Sequence, residues 1–424
     1  MKTEHPSDTQ FLLKQLFQQE FSKMVAVIAS RYGLDHVALA EDIVSETFLS
    51  ATERWSKDGL PPNPAAWLYA VARQKTLAQF RRAKIYSEKV MPGIRTGETP
   101  AMEEPDIDFS PQQIRDSQLQ MFFAVCTPII AAEAQVALAL RVLCGFSIDE
   151  IAAAFLTSKE TVNKRLVRAK ARLRAEGIRL ELPPSTEIAG RLHSVLHILY
   201  LLFNEGYYSR TQDEVLRRDL CWEALRLAIF LTEHELTNLP QTQALVALMC
   251  FHASRFDARQ TVGGGIVLYG EQNESQWNAD LIAQGIRYLE LAARGKTISA
   301  YHIEARIAQL HCVPGDSLAK WEQILRNYNQ LLMLQYSPAA ALNRTYALYR
   351  ARGASAALPE ARKLQLEANH FYWVLLAELQ RETDREAARE SLERALQLTR
   401  NNPEQQLVKE KLDRLTVGLS RDIG

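Results

Sequence analysis

Apolar residues recur at i, i+3, i+4 and i+7 through almost every stretch of the chain, as in QFLLKQLFQQEFSKMVAVIASRYG near its start. The alternating pattern of a half-buried strand is nearly absent, so the sequence predicts an all-α protein. Four blocks emerge. Residues 10–90 predict three or four helices. Within HVALAEDIVSETFLSATERW, Ala38, Ala40, Ile43, Val44, Thr47, Phe48 and Ala51 form one broad stripe to bury, with Glu41, Asp42, Ser45, Glu46 and Ser50 outside it. KDGLPPNPAAWLYAVARQKTLAQFRRAK opens on a Gly-Pro breaker, is capped by Asn63 with Pro64 at the first helical position, and runs into basic residues. Residues 91–114 hold four Pro and two Gly without helical periodicity, which predicts a linker and a domain boundary.

Helix resumes over 115–182. In GFSIDEIAAAFLTSKETVNKRLVRAKARLR, Ser147 to Glu150 and Thr157 to Glu160 both fit the S/T-x-x-E capping box. Two helix starts ten residues apart, the first helix short, predict a helix-turn-helix. ELPPS at 181–185 breaks the chain again, and residues 186–424 read as a long series of amphipathic helices. Residues 371–402 follow the tetratricopeptide pattern, with Tyr372 at the first-helix aromatic position, Asp384 in the turn, Ala388 at the small packing position and Ala395 with Leu396 in the second helix. Residues 338–370 resemble a degenerate copy, so the block is expected to be a TPR-like helical repeat domain.

Charge sharpens this picture. The 424 residues carry a formal net charge of zero, but residues 157–179 hold eight basic against two acidic side chains, and residues 96–114 hold five acids and no Lys or Arg. On the second helix of the helix-turn-helix, Val162, Leu166, Ala169 and Leu173 form a narrow packing seam. Ser158, Lys159, Thr161, Lys164, Arg165 and Arg168 occupy the opposite and flanking positions. A basic helix can be merely solvated, but this one lies where residues of its first turns project into the major groove, so these six are expected to contact DNA. A second basic element, Arg73, Lys75, Arg81, Arg82 and Lys84, follows Trp67 and Tyr69. The aromatics could hold unstacked bases or simply belong to the core. The exposed acids Asp42 and Glu46 would repel DNA and suit a basic protein partner.

Composition narrows the class without naming it. Hydrophobic content of 47% and charged content of 24% suit a soluble globular chain. No apolar run reaches the roughly 18 residues of a membrane span. The N-terminus lacks the order of a secretion signal, and five scattered Cys without C-x-x-C fit a reducing compartment, so a cytoplasmic protein without disulfides or a zinc site is expected. TVGGGIVLYG lacks the Lys-Ser/Thr of a phosphate loop, His193 and His197 lack a third ligand, and Glu205 suits a helix end, so no catalytic residue, metal or cofactor is expected and the chain is read as not an enzyme.

AEDIVSETFLSATERW, PPNPAAWLYAVARQKTLAQFRR and AEAQVALALRVLCGFSIDEIAAAFLTSKETVNKRLVRAKARLR resemble regions 2 and 4 of a bacterial RNA polymerase sigma factor of the extracytoplasmic-function (ECF) class. YLLFNEGYYS, LCWEALRLA and YGEQNESQWNADLI resemble the subgroup with a C-terminal tetratricopeptide-like domain. The resemblance implies a sigma region 2 over 1–90 that binds core RNA polymerase through Asp42 and Glu46 and reads the −10 element of promoter DNA through the helix over 64–82. It implies an acidic linker over 91–114, a region 4 over 115–182 that reads the −35 element, and a regulatory domain over 186–424 open to a protein or peptide partner. Gln74, Thr76 and Ala78 replace the Asn, Ala and Asp common in the family's −10 helix, Asn163 and Lys164 replace a common Lys and Ser, and VCTP (125–128) replaces the subgroup's Cys-Cys-His-Pro. The competing reading is a helix-turn-helix transcription regulator whose repeat domain senses a ligand or protein.

Overall fold

In a computed structural model the protein is described for residues 6–33, 36–89, 107–155, 157–207, 217–260, 267–399 and 402–421. Eighteen α-helices and no strand occur among these residues. The chain divides into two compact units, residues 1–198 and 199–424.

In the first unit, α1 (Pro6–Tyr32), α2 (Val37–Asp58) and α3 (Pro64–Lys89) form a bundle. Phe21, Met24, Ile28 and Leu68 are fully buried in it, because long apolar side chains at helical spacing have nowhere else to leave water. Asn63 caps α3 as its sequence predicts, its Oδ1 accepting from the Ala66 N–H at 3.0 Å.

The segment expected to be linker as far as residue 114 is already helical at Pro111, where α4 (Pro111–Val125) begins. The reason is local. Ser110 accepts from the Gln113 N–H at 3.3 Å and Pro111 supplies a preset φ at N1, so the cap outweighs the Pro-rich composition. This helix packs on α1, and Ile107 and Ile114 bury against Val27. A single compact unit therefore contains both segments expected to be separate domains. Cys126, in the VCTP run, closes α4 with its N–H on the Phe122 carbonyl and is buried, and burial pushes its thiol up to about 12, which disfavours the thiolate.

The helix-turn-helix follows α5 (Ala132–Leu138) and a π turn over Ala139–Leu143. α6 (Ile148–Ala154) starts with the capping box expected of Ser147 and Glu150, with bonds of 3.2 and 2.8 Å. α7 (Lys159–Ala175) is capped by Ser158, one residue beyond the expected Thr157, because Ser158 holds the extended backbone from which its hydroxyl reaches the Thr161 N–H. The seam is Val162, Leu166, Ala169 and Leu173, as their spacing predicts. α8 (Ser185–Tyr207) spans the boundary of the two units, so the first unit extends past the expected break at 181–185. Arg191 on its first half donates to the Phe123 carbonyl at 3.1 Å.

The second unit is a succession of helices packed on their neighbours in sequence, the arrangement in which a repeat array buries a continuous core. α10 (Pro240–Ala253) is buried nearly all round, under α9 (Arg218–Thr232), α11 (Ala279–Ala292) and α12 (Ala300–His311). Gly285 lets α11 approach closely: a Cβ there would lie 2.7 Å from the Phe251 ring. Then come α13 (Leu318–Leu334), α14 (Pro338–Arg352), α15 (Ala354–Lys363), α16 (His370–Gln380), α17 (Arg385–Leu398) and α18 (Asn402–Arg421). In the stretch read as a repeat, Asp384 caps α17 by accepting from the Ala387 N–H at 3.0 Å, and Tyr372, Ala388 and Ala395 are buried.

Candidate nucleic-acid and polymerase interface

α7 presents its cations outward because its seam fixes the rotation of the helix. Lys159, Thr161, Lys164 and Arg168 are exposed, and Arg165 is half-buried. Lys164, Arg165 and Arg168 have no ion-pair partner among the described residues. Lys159 does have one, Asp149 of α6 at 2.6 Å, which raises its pKa. Ser158 and Thr161 are engaged with each other, hydroxyl to hydroxyl at 3.1 Å, besides the capping bond. The outward face thus divides into an ordered, partly neutralised start and a free cationic stretch from Lys164 to Arg168.

Along the outer face of α2, Asp42, Glu46 and Leu49 are exposed. The hydroxyls of Ser45 and Ser50 turn back to the carbonyls of Glu41 and Glu46 at 2.7 and 2.9 Å, which leaves the carboxylates as that face's chemistry. Glu46 also lies 3.4 Å from Lys75 of α3. On α3, Arg73, Arg81 and Arg82 are exposed and Lys75 is half-buried. The two aromatics ahead of them are half-buried and each packs on another ring. Trp67 meets the buried Trp55 edge to face at 5.4 Å. Tyr69 stacks on Phe109 at 5.0 Å and donates its hydroxyl to Glu20, which with burial raises its pKa.

Glu41 departs most from the sequence reading. Expected on the solvent side of α2, it is only 7% exposed. Lys170 of α7 donates to its Oε2 at 2.8 Å and Arg141 of the π turn to its Oε1 at 3.1 Å, while Arg141 also reaches the Phe146 carbonyl at 3.1 Å. Arg141 lies 5.6 Å from the Phe21 ring as well. One sequence signal was available: Arg141 is the lone charge in QVALALRVLCGF, and a charge inside an apolar run calls for a buried partner.

Family comparison places both surfaces inside matched regions. Residues 17–85 match Sigma-70 region 2, and residues 131–173 match Sigma-70 region 4. The chain belongs to the sigma-70 family of RNA polymerase sigma factors. The exposed acids of α2 and the basic positions 73–82 of α3 fall inside the first match of this sigma factor, and α6 with most of α7 falls inside the second. Residues 191–293 match a family of unknown function. An uncharacterized protein of Rhizobium meliloti (strain 1021) is 33% identical over 385 residues, covering 89% of this chain and 90% of the relative. No solved structure matches the chain. No helix among the described residues is long and apolar enough to cross a membrane. The Gly-rich stretch at 261–266 lies outside the described residues.

Proposed function

We propose that this sigma factor is of the ECF class, binds core RNA polymerase in the cytoplasm and directs it to promoters without chemistry of its own. Asp42 and Glu46 dock on a basic surface of the polymerase. Arg73, Lys75, Arg81 and Arg82 engage −10 DNA. Lys164, Arg165 and Arg168 engage −35 DNA from α7, whose first turn Ser158, Lys159 and Thr161 set in place. The observation that carries the reading is the pairing, in one chain, of an exposed acidic face in the region 2 match with an unpaired cationic face in the region 4 match. Phosphate contact by such cations supplies most of the affinity, and bidentate contact to guanine supplies discrimination.

Two elements about 25 base pairs apart lie on the order of 85 Å apart along the duplex at 3.4 Å per step. Glu41 holds α2 and α7 in direct ion-pair contact. Simultaneous reading of both elements therefore requires the Glu41 pairs to break. The second unit, a TPR-like array, regulates this in cis and offers a surface to a protein or peptide partner.

Core polymerase supplemented with the purified chain should produce promoter-specific transcripts, and absence of any complex with core ends the reading. A chain truncated after Ile198, which keeps the whole first unit, should differ in activity or promoter choice. Identical behaviour removes the regulatory role.

A further inference from the structure

The interior of a helical array is expected to be apolar, yet the second unit encloses a group of cations. Arg255, in the turn after α10, is 5% exposed. Its guanidinium lies 5.6 Å from the Tyr269 ring, its Nη2 is 3.5 Å from the Tyr207 hydroxyl, and its buried Nε has no partner. Arg259 sends Nη1 to the same Tyr207 oxygen at 2.6 Å and sits 4.1 Å over that ring, and its Nε is likewise buried without a partner. Lys320 of α13, 6% exposed, donates to the Tyr269 hydroxyl at 2.7 Å and to the carbonyls of Val313 and Gly315 at 2.6 and 2.8 Å.

No carboxylate of a described residue forms an ion pair with any of the three. Asp316 and Glu274 favour the Lys320 charge only from a distance and bond elsewhere: Asp316 pairs with Arg350 and accepts from the Trp321 indole, and Glu274 accepts from the Gly315 N–H at 2.9 Å. His252 and His311 join the cluster with buried Nδ1 atoms that also lack partners. Burial, together with the neighbouring cations, holds both rings well below the ordinary histidine range, His311 at about 3, so they add no charge and can offer an N–H.

Buried charge without a counter-charge is among the most unfavourable arrangements in a protein, and orphaned buried donors call for a missing partner. Among the described residues no anion answers these donors; a group that does so must accept hydrogen bonds and carry negative charge, and two guanidinium forks favour a planar or tetrahedral oxyanion. We propose that Arg255, Arg259 and Lys320, walled by Tyr207 and Tyr269, form the binding site of a small molecule bearing a phosphoryl or carboxylate group. The site gives the cis-regulatory unit a chemical signal. It rests on that regulatory reading only for its consequence in transcription, because binding is read on the purified chain alone.

The test is thermal unfolding and titration calorimetry of the full chain at constant ionic strength in chloride, with sodium phosphate in one arm and sodium succinate in the other. At about 100 times Kd, a ligand that binds only the folded state should raise Tm by on the order of 5 °C. Response to one arm alone assigns the phosphoryl or the carboxylate class, and response to both assigns the shared oxyanion chemistry. Arg255→Met should abolish the shift, and Arg259→Gln, at a half-buried position, should weaken binding at least tenfold. If Arg255→Met does not fold, Arg259→Gln decides. No shift beyond that of chloride, or an equal shift in the variants, overturns the proposal.

Discussion

Glu41→Gln is the sharpest probe of how the first unit is held together. The substitution keeps the shape of the side chain and one acceptor oxygen while removing the charge that Lys170 and Arg141 share. A hydrogen bond to a charged group contributes about 1.5–3 kcal/mol, and loss of one partner of a buried pair costs about 3–5 kcal/mol because the other charge is stranded. Here both figures shrink. The Lys170 and Arg141 side chains are 21% and 18% exposed, and Arg141 keeps its bond to the Phe146 carbonyl. A loss of about 2–3 kcal/mol is expected, lowering the Tm of a unit this size by roughly 5–10 °C. The assay is urea and thermal unfolding of the full chain, combined with a double-mutant cycle against Lys170→Met. Coupling of about 1 kcal/mol or more is expected from the cycle. A total cost under about 0.5 kcal/mol, or strict additivity with Lys170→Met, would refute the argument that this pair joins α2 to α7. Promoter complexes spanning both elements should form at least as readily with the variant, since they require these bonds to break.

Three further outcomes are expected. Arg168→Ala should cost about 1–3 kcal/mol of promoter affinity with relaxed sequence preference if the side chain reads a base, or lower the salt slope by about 1 if it holds phosphate, measured by binding across a salt series; no change in either returns it to a solvated position. Reversing both acids, Asp42→Lys with Glu46→Lys, should abolish core polymerase capture while leaving the unfolding curve close to wild type, because both side chains are exposed. Burial pushes the Glu304 carboxyl up to about 7. The folded state therefore holds a proton that the unfolded chain releases above its ordinary value near 4.5, and this contribution to stability is lost as pH rises to about 7. Glu304→Gln should flatten that window and be more stable than wild type at pH 8 by up to about 3 kcal/mol; parallel Tm-against-pH curves for the two proteins would contradict the assignment.

Much of the architecture was legible in the chain because helix rotation, start and partner face depend on local spacing. Val162, Leu166, Ala169 and Leu173 define a seam whichever fold contains them, and Ser147 with Glu150 nucleates α6 from within four residues. Asn63 and Asp384 cap their helices for the same local reason. Reading a cap to the exact residue was less secure: Thr157 and Ser158 are both suitable, and the backbone entering α7 chose the second.

Tertiary structure decided what depends on residues far apart in sequence. Glu41 and Lys170 are 129 positions apart, and a carboxylate on the flank of an amphipathic stripe reads as solvated until a cation arrives to cover it. Trp67 and Tyr69 could have served bases or core, and the structure gives each a packing partner, Trp55 for one and Phe109 with Glu20 for the other, while leaving both half-buried. The cations Arg255 and Lys320 carry no sequence signal of burial, since Lys and Arg are almost always exposed. Periodicity thus determined the helices, their caps and the outward cations of α7, because those are nearest-neighbour properties of a polymer. Which charges are withdrawn from water, and which are left without an answering charge, was fixed only when the helices packed, because electrostatic cost depends on everything that surrounds a group in space.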